Sequence, residues 1–134
     1  MEASLDTNVL LRFALRDIPD QFVRARTVLA RPDARYRVAD AVWLEMAYVL
    51  GGYYHLDRPA IVDVITSLMG IDSVVTDAAT ITAACTLFID HPKLSFADCY
   101  LGAYADQTHA TPLLTFDEKL ASQHPSASLV PLDD

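Results

Sequence analysis

Four carboxylates of this 134-residue chain have neighbours that make them candidates for chemistry: Asp6, Glu45, Asp98 and Asp117. Asp6 opens Asp-Thr-Asn and is followed by the apolar run Val-Leu-Leu, so it stands where a helix begins. Glu45 lies in Ala-Val-Trp-Leu-Glu-Met-Ala-Tyr-Val-Leu, with no lysine or arginine from Asp40 through Tyr54. On a helix its neighbours three and four positions away are Ala41, Val42, Tyr48 and Val49. A carboxylate buried on such a face needs a cation, a proton or a distant arginine. Asp98 sits in Phe-Ala-Asp-Cys-Tyr-Leu-Gly-Ala, with Leu101, Gly102 and Ala105 on its own helical face, and Asp117 follows Leu-Leu-Thr-Phe. Small residues beside Asp98 would let its helix approach a sheet closely. Gathered at one place, four carboxylates raise one another's pKa unless cations intervene. An all-oxygen set of this kind suits Mg²⁺ or Mn²⁺. Such ions acidify bound water and stabilise charge developing on phosphate oxygens, a route to phosphodiester hydrolysis without histidine or a covalent nucleophile.

Each aspartate also has a structural explanation. Asp6 is a preferred residue for capping a helix start. Ser95 with Asp98, and Thr115 with Glu118, have the spacing of capping boxes, which would leave Asp117 as an acid in a first turn. The four come together only if the fold brings them together.

The elements that would do so alternate along the chain. Short extended candidates are Ala3 to Leu5, Tyr36 to Val38, Ser73 to Val75, Pro112 to Thr115 and Ser128 to Val130. Helical patterns run over Val9 to Leu15, Phe22 to Ala30, Ala41 to Leu50, Pro59 to Met69, Ala78 to Ile89 and Phe96 to Thr108. Glycine commonly ends helices, so Gly51-Gly52 and Gly70 mark expected stops. The alternation predicts an α/β domain over 1–134, with a central, mainly parallel sheet of about five strands flanked by helices. Ligands of such sheets bind beyond the carboxyl ends of the strands, and Asp6 and Asp117 each follow a candidate strand.

Composition narrows the class. Hydrophobic residues make up 52% and charged residues 21%, the balance of a folded chain. No apolar run approaches the roughly 20 residues that span a bilayer. The N-terminus lacks the basic region and long apolar stretch of a signal peptide, which makes the cytoplasm the expected compartment. Two isolated cysteines, Cys85 and Cys99, read as buried thiols, and the scattered histidines offer no paired zinc ligands. Net charge is −8, which opposes simple nucleic-acid binding. Seven of the ten basic residues nevertheless fall before position 38, and all seven are arginine. Arg12 and Arg16 share a helical face with Asn8 and are candidate phosphate contacts, with surface exposure or an intramolecular pair as the alternative.

Asp-Thr-Asn-Val-Leu-Leu-Arg at the start, Leu-Glu-Met-Ala-Tyr-Val-Leu in the middle, Phe-Ala-Asp-Cys-Tyr-Leu-Gly-Ala late and Leu-Leu-Thr-Phe-Asp-Glu-Lys-Leu near the end resemble the motifs of PIN domains. More closely, they resemble those of the VapC toxins of toxin–antitoxin pairs, in order and over essentially the whole chain. The resemblance implies that Asp6, Glu45 and Asp98 are core metal ligands, with Asp117 a more variable fourth. It gives Asn8 and Thr115 supporting roles, holding the first acid or a metal-bound water. It further implies Mg²⁺- or Mn²⁺-dependent cleavage of RNA to a 5′-phosphate and a 3′-hydroxyl, a homodimer, and inhibition by a cognate antitoxin lying in the active-site groove. The alternative is a non-catalytic PIN-like module that binds RNA or protein. A haloacid-dehalogenase-type phosphatase also places an acid after its first strand, but it needs a second aspartate where this chain has Asn8.

Overall fold

The three segments Glu2–Ser4, Arg35–Arg37 and Val74–Val75 form strands β1, β2 and β3 of a parallel sheet. The computed structural model describes residues 2–131. The chain divides into two units, Met1–Ala78 and Ala79–Asp134. In the first unit Ala3 lies opposite Tyr36, and Tyr36 opposite Val74. Parallel neighbours need long crossovers, and here each crossover is a pair of helices. These are α1 (Thr7–Leu15) with α2 (Pro19–Leu29), then α3 (Asp40–Gly52) with α4 (Arg58–Met69).

Local chemistry sets the helix starts. The Asp57 carboxylate accepts the Ala60 N–H at 3.0 Å to start α4. Proline in the first turn of α2 and of α4 gives up no N–H that the helix would use. The inner faces of these helices bury Leu10, Trp43, Met46, Leu50 and Ile65 completely. Burying an indole is favourable only if its N–H finds an acceptor. Trp43 Nε1 donates to Thr76 Oγ1 at 2.8 Å, and that hydroxyl donates to the Val38 carbonyl at 3.0 Å. One relay thus ties α3 to the chain just beyond β2 and β3, at the carboxyl edge of the sheet.

Helix α3 ends at the expected glycine pair, with Gly52 its last residue and Tyr53 its cap. A Cβ at Gly51 would stand 3.3 Å from Ile61 Cδ1, so that glycine serves the close approach of α3 to α4. The left-handed residue comes later, at His55, with φ 58°.

The second unit holds α5 (Ala78–Asp90, beginning at the division), α6 (Phe96–Gln107), β4 (Leu113–Thr115), α7 (Glu118–Gln123) and β5 (Ala127–Leu129). Strands β4 and β5 are parallel, with Leu114 opposite Ser128. The α/β class is as expected. Among the described residues, however, the five strands make a sheet of three and a sheet of two, where the sequence pointed to one. Strands of two or three residues offer few ladder bonds with which to extend a sheet. The helix start expected after Thr115 is present as α7, but its six residues span less than two turns, too few for a periodic pattern to mark its extent. Among the described residues, no helix is long and apolar enough to cross a membrane.

The core of this unit includes Ile81, Leu94 and Cys99, with Phe88 and Phe96 edge to face at 5.3 Å. Cys85 and Cys99 are buried and form no disulfide, and burial pushes the Cys85 thiol up to about 11. His124 is 1% exposed. Its Nδ1 accepts the Ser126 N–H at 3.0 Å, which leaves the proton of the neutral ring on Nε2. A Cβ on Gly102 would stand 2.4 Å from that Nε2. The space beside Gly102 therefore admits an imidazole rather than a strand, and Leu101, expected on the same packed face, is 44% exposed. Replacing Gly102 with alanine forces the buried ring to move. Gly102→Ala should cost about 1–3 kcal/mol, the usual range for overpacking, read as a lowered urea midpoint with an unchanged m-value.

Candidate functional site

The two units share one local construction. Strand β1 ends at Ser4, and two residues later Asp6 caps α1. Strand β4 ends at Thr115, and two residues later Asp117 caps α7. Each aspartate therefore stands at the carboxyl edge of a parallel sheet, where open α/β folds bind ligands. Asp6 Oδ1 accepts the Thr7 N–H at 2.7 Å. Asp117 Oδ1 accepts the N–H groups of Lys119 and Leu120 at 2.9 and 3.1 Å. One oxygen of each carboxylate is committed to its helix, and among the described residues Oδ2 of each has no hydrogen-bond partner.

The expected capping box of Thr115 and Glu118 is corrected: Asp117 itself is the cap. Thr115 Oγ1 accepts the Asp117 N–H at 2.9 Å and so fixes the turn that presents the acid. The polar position assigned to Thr115 thus acts on the backbone of Asp117. Asn8 is exposed in the first turn of α1, and among the described residues it forms no hydrogen bond to Asp6.

Asp98 is half-buried in the first turn of α6, where its N–H donates to Ser95 Oγ at 3.1 Å. This is one half of the expected box, and it leaves the Asp98 carboxylate without a protein partner among the described residues. Helix α6 packs on β4, the strand it feeds.

Glu45 departs from expectation. It is exposed, as is Tyr48 at 81%, so α3 turns this apolar face outward and buries Trp43, Met46, Ala47 and Leu50 instead. The desolvation argument for Glu45 therefore does not apply, and its carboxylate has no protein partner among the described residues. Asp6 and Glu45 belong to the first unit, on helices α1 and α3 that touch; Asp98 and Asp117 belong to the second. Among the described residues, no three histidine, cysteine, aspartate or glutamate side chains stand together as a metal-holding group. Residue by residue the donors suit a hard divalent cation: all are carboxylates, and each keeps at least one oxygen unused.

Of the two arginines singled out, Arg12 is occupied. Its Nη1 pairs with Asp17 Oδ2 at 2.9 Å and its Nη2 donates to the Tyr54 hydroxyl at 3.1 Å. That hydroxyl donates in turn to Asp17 at 3.2 Å. Tyr54, and after it Asp17, raise the Arg12 pKa against the opposing effect of burial. Arg16 is exposed and free of any carboxylate among the described residues. A cavity of about 340 Å³ between α1 and α2 is lined by Asn8, Arg12 and Arg24 over Leu5, Val9 and Val28. A second, of about 520 Å³, opens at the carboxyl edge of the three-stranded sheet, between Ser4, Arg37, Val75 and Thr76. The sequence reading did not single out Arg37, which pairs with Glu2; its place in a strand only three residues long gave no signal.

Capping and cation binding make different demands on Asp117. Asparagine caps as well as aspartate does, whereas alanine cannot cap. Asp117→Asn should keep the thermal midpoint within a degree or so. Asp117→Ala should lower stability by about 1 kcal/mol, read by denaturant unfolding.

A PIN domain family model matches residues 3–123. No curated protein matches significantly in sequence. Among solved structures, VapBC2 from Rickettsia felis, bound to a DNA fragment from the VapBC2 promoter, shares 15% identity with this chain. The alignment covers 97% of this chain and 98% of that one, with a TM-score of 0.40, too loose a likeness to argue from. The ordered motifs, the parallel strands with helical crossovers and the match over nearly the whole length agree: the chain belongs to the PIN domain family.

Proposed function

We propose that the protein is a divalent-metal-dependent endoribonuclease, the toxin of a toxin–antitoxin pair, in which residues 1–134 act as one PIN-like domain. The observation that carries this reading is the repeated strand–residue–aspartate–helix corner, which sets Asp6 and Asp117 at carboxyl edges of parallel sheets, each with a carboxylate oxygen to spare. The family match, which runs through both units, supports it.

In this reading Asp6, Glu45 and Asp98 hold Mg²⁺ or Mn²⁺, and Asp117 is the fourth, adjustable ligand. When bound, the cation supplies Lewis acidity for water and screening for the charge on a phosphate. The residues of the chain do the rest. The helix caps fix where Asp6 and Asp117 point, Ser95 fixes the first turn that carries Asp98, and Thr115 holds the backbone of Asp117. Hydrolysis leaves a 5′-phosphate and a 3′-hydroxyl. On the same reading the protein forms a homodimer, is silenced by a cognate antitoxin and works in the cytoplasm with both thiols reduced.

Protein purified free of partners should cleave RNA with Mg²⁺ or Mn²⁺ and stop when the ion is chelated. Asp6→Asn and Asp98→Asn should each slow cleavage by at least about 100-fold, the upper end of what loss of a group supporting a metal site costs. Variants that cut as fast as the parent would sink the assignment. RNA binding without cleavage under any divalent ion would favour a non-catalytic binding module.

A further inference from the structure

Four of the seven early arginines, Arg16, Arg26, Arg31 and Arg35, form no ion pair among the described residues, whereas Arg12, Arg24 and Arg37 pair with Asp17, Asp20 and Glu2. Two of the four meet on one aromatic ring. The Arg16 guanidinium carbon lies 4.8 Å from the centroid of Phe22, and that of Arg26 lies 5.3 Å from it. The ring is itself held in place: Phe13 of α1 stacks on Phe22 of α2 at 5.8 Å, with 18° between the planes. Arg16 sits at the end of α1 with φ 55°, its N–H bound to the Arg12 carbonyl, and Arg26 sits one turn along α2 from Phe22. Both arginines are exposed.

A guanidinium resting on an aromatic face is attracted by the ring quadrupole and keeps its in-plane N–H donors turned outward. Those donors suit the paired oxygens of a phosphate. The ring also restrains two side chains that would otherwise lose rotamer freedom on binding. Asp63 lines the cavity that Arg16 borders, yet it forms no ion pair with it among the described residues. In a chain of net charge −8, two ordered guanidinium groups without a carboxylate partner are an unusual local surplus.

We propose that Arg16 and Arg26, set on Phe22, form a clamp for two backbone phosphates of single-stranded RNA, with Phe22 as the positioning residue. The proposal rests on the ribonuclease reading for its ligand, not for its geometry. It assigns roles to Phe22 and Arg26, which that reading leaves unused, and excludes Arg12, whose two terminal nitrogens are taken by Asp17 and Tyr54 and whose Nε is buried.

The test is fluorescence anisotropy of the full chain, in chelator, with an unstructured RNA of roughly twelve nucleotides, titrated between about 50 and 200 mM salt. The double variant Arg16→Gln/Arg26→Gln should bind about tenfold more weakly whatever the RNA sequence. Its log–log salt slope should fall by about 1.4, or 0.7 per lost phosphate contact. Phe22→Leu should weaken binding several-fold with the slope kept, and Phe22→Tyr should restore it. Arg24→Gln, which removes a charge paired with Asp20, should stay within about twofold. Circular dichroism melts confirm that each variant folds. In cleavage, the double variant should raise KM and leave kcat unchanged. An unchanged slope in the double variant, an equal loss in Arg24→Gln, or arginine-dependent binding of polyglutamate in place of RNA would overturn the clamp. Arginine-dependent RNA binding by a parent that never cleaves would overturn the nuclease reading and leave the clamp standing.

Discussion

Every α-helix begins with N–H groups that have no acceptor inside it, and a short helix has little else to hold its first turn. In this protein that constraint decides where the proposed chemistry sits. After β1 and after β4 the chain has two residues in which to leave the strand and satisfy the next helix, and aspartate does it both times. A carboxylate has two oxygens and the cap takes one, so the demand that closes the helix also leaves charge at the carboxyl edge of a sheet. Ser95 caps α6 with a hydroxyl instead, which frees both oxygens of Asp98. Structural and chemical explanations of these acids are therefore not rivals.

The edges that carry the acids are fixed by buried polar groups with single partners. The indole of Trp43 reaches Val38 through Thr76, which joins α3 to the ends of two strands. In the second unit His124 fills the space that Gly102 leaves and its Nδ1 accepts the Ser126 N–H beside β5, while its buried Nε2 has no hydrogen-bond partner among the described residues. A buried donor without its acceptor costs more than a hydrogen bond contributes. Such tethers thus define geometry more sharply than the apolar contacts around them.

Much of this was legible in the sequence, for identifiable reasons. All five strands lie within about a residue of their expected positions, because Gly, Pro and Asp punctuate short apolar runs clearly. Asp6 as a cap and Cys85 and Cys99 as buried thiols were equally readable from type and neighbours. Three features were not. The glycine pair marks the end of α3, but that Gly51 also admits Ile61 of α4 at close range is a tertiary fact with no local signal. Helix α7 spans less than two turns, so only its polar start could be read and not its extent. Glu45 has the apolar neighbours of a buried face, yet a helix as hydrophobic as α3 has two apolar faces, and the sequence does not say which one turns inward. The Phe22 clamp left a trace in the spacing of Phe22 and Arg26, but Arg16 joins it only through the turn between α1 and α2.

The uneven placement of charge has a consequence for how partners arrive. The first 37 residues hold seven arginines against five acids, while the rest of the chain holds three basic residues against thirteen acidic ones. A polyanion drifting toward such a molecule feels attraction from one stretch and repulsion from the remainder, so encounters are sorted by orientation before any contact forms. The sorting is strong where the Debye length exceeds the separation of the charges, and it fades as that length shrinks from about 30 Å at 0.01 M to about 8 Å at 0.15 M ionic strength. At low ionic strength, repulsion along the acidic remainder makes a strand that approaches in the wrong pose more apt to leave than to linger.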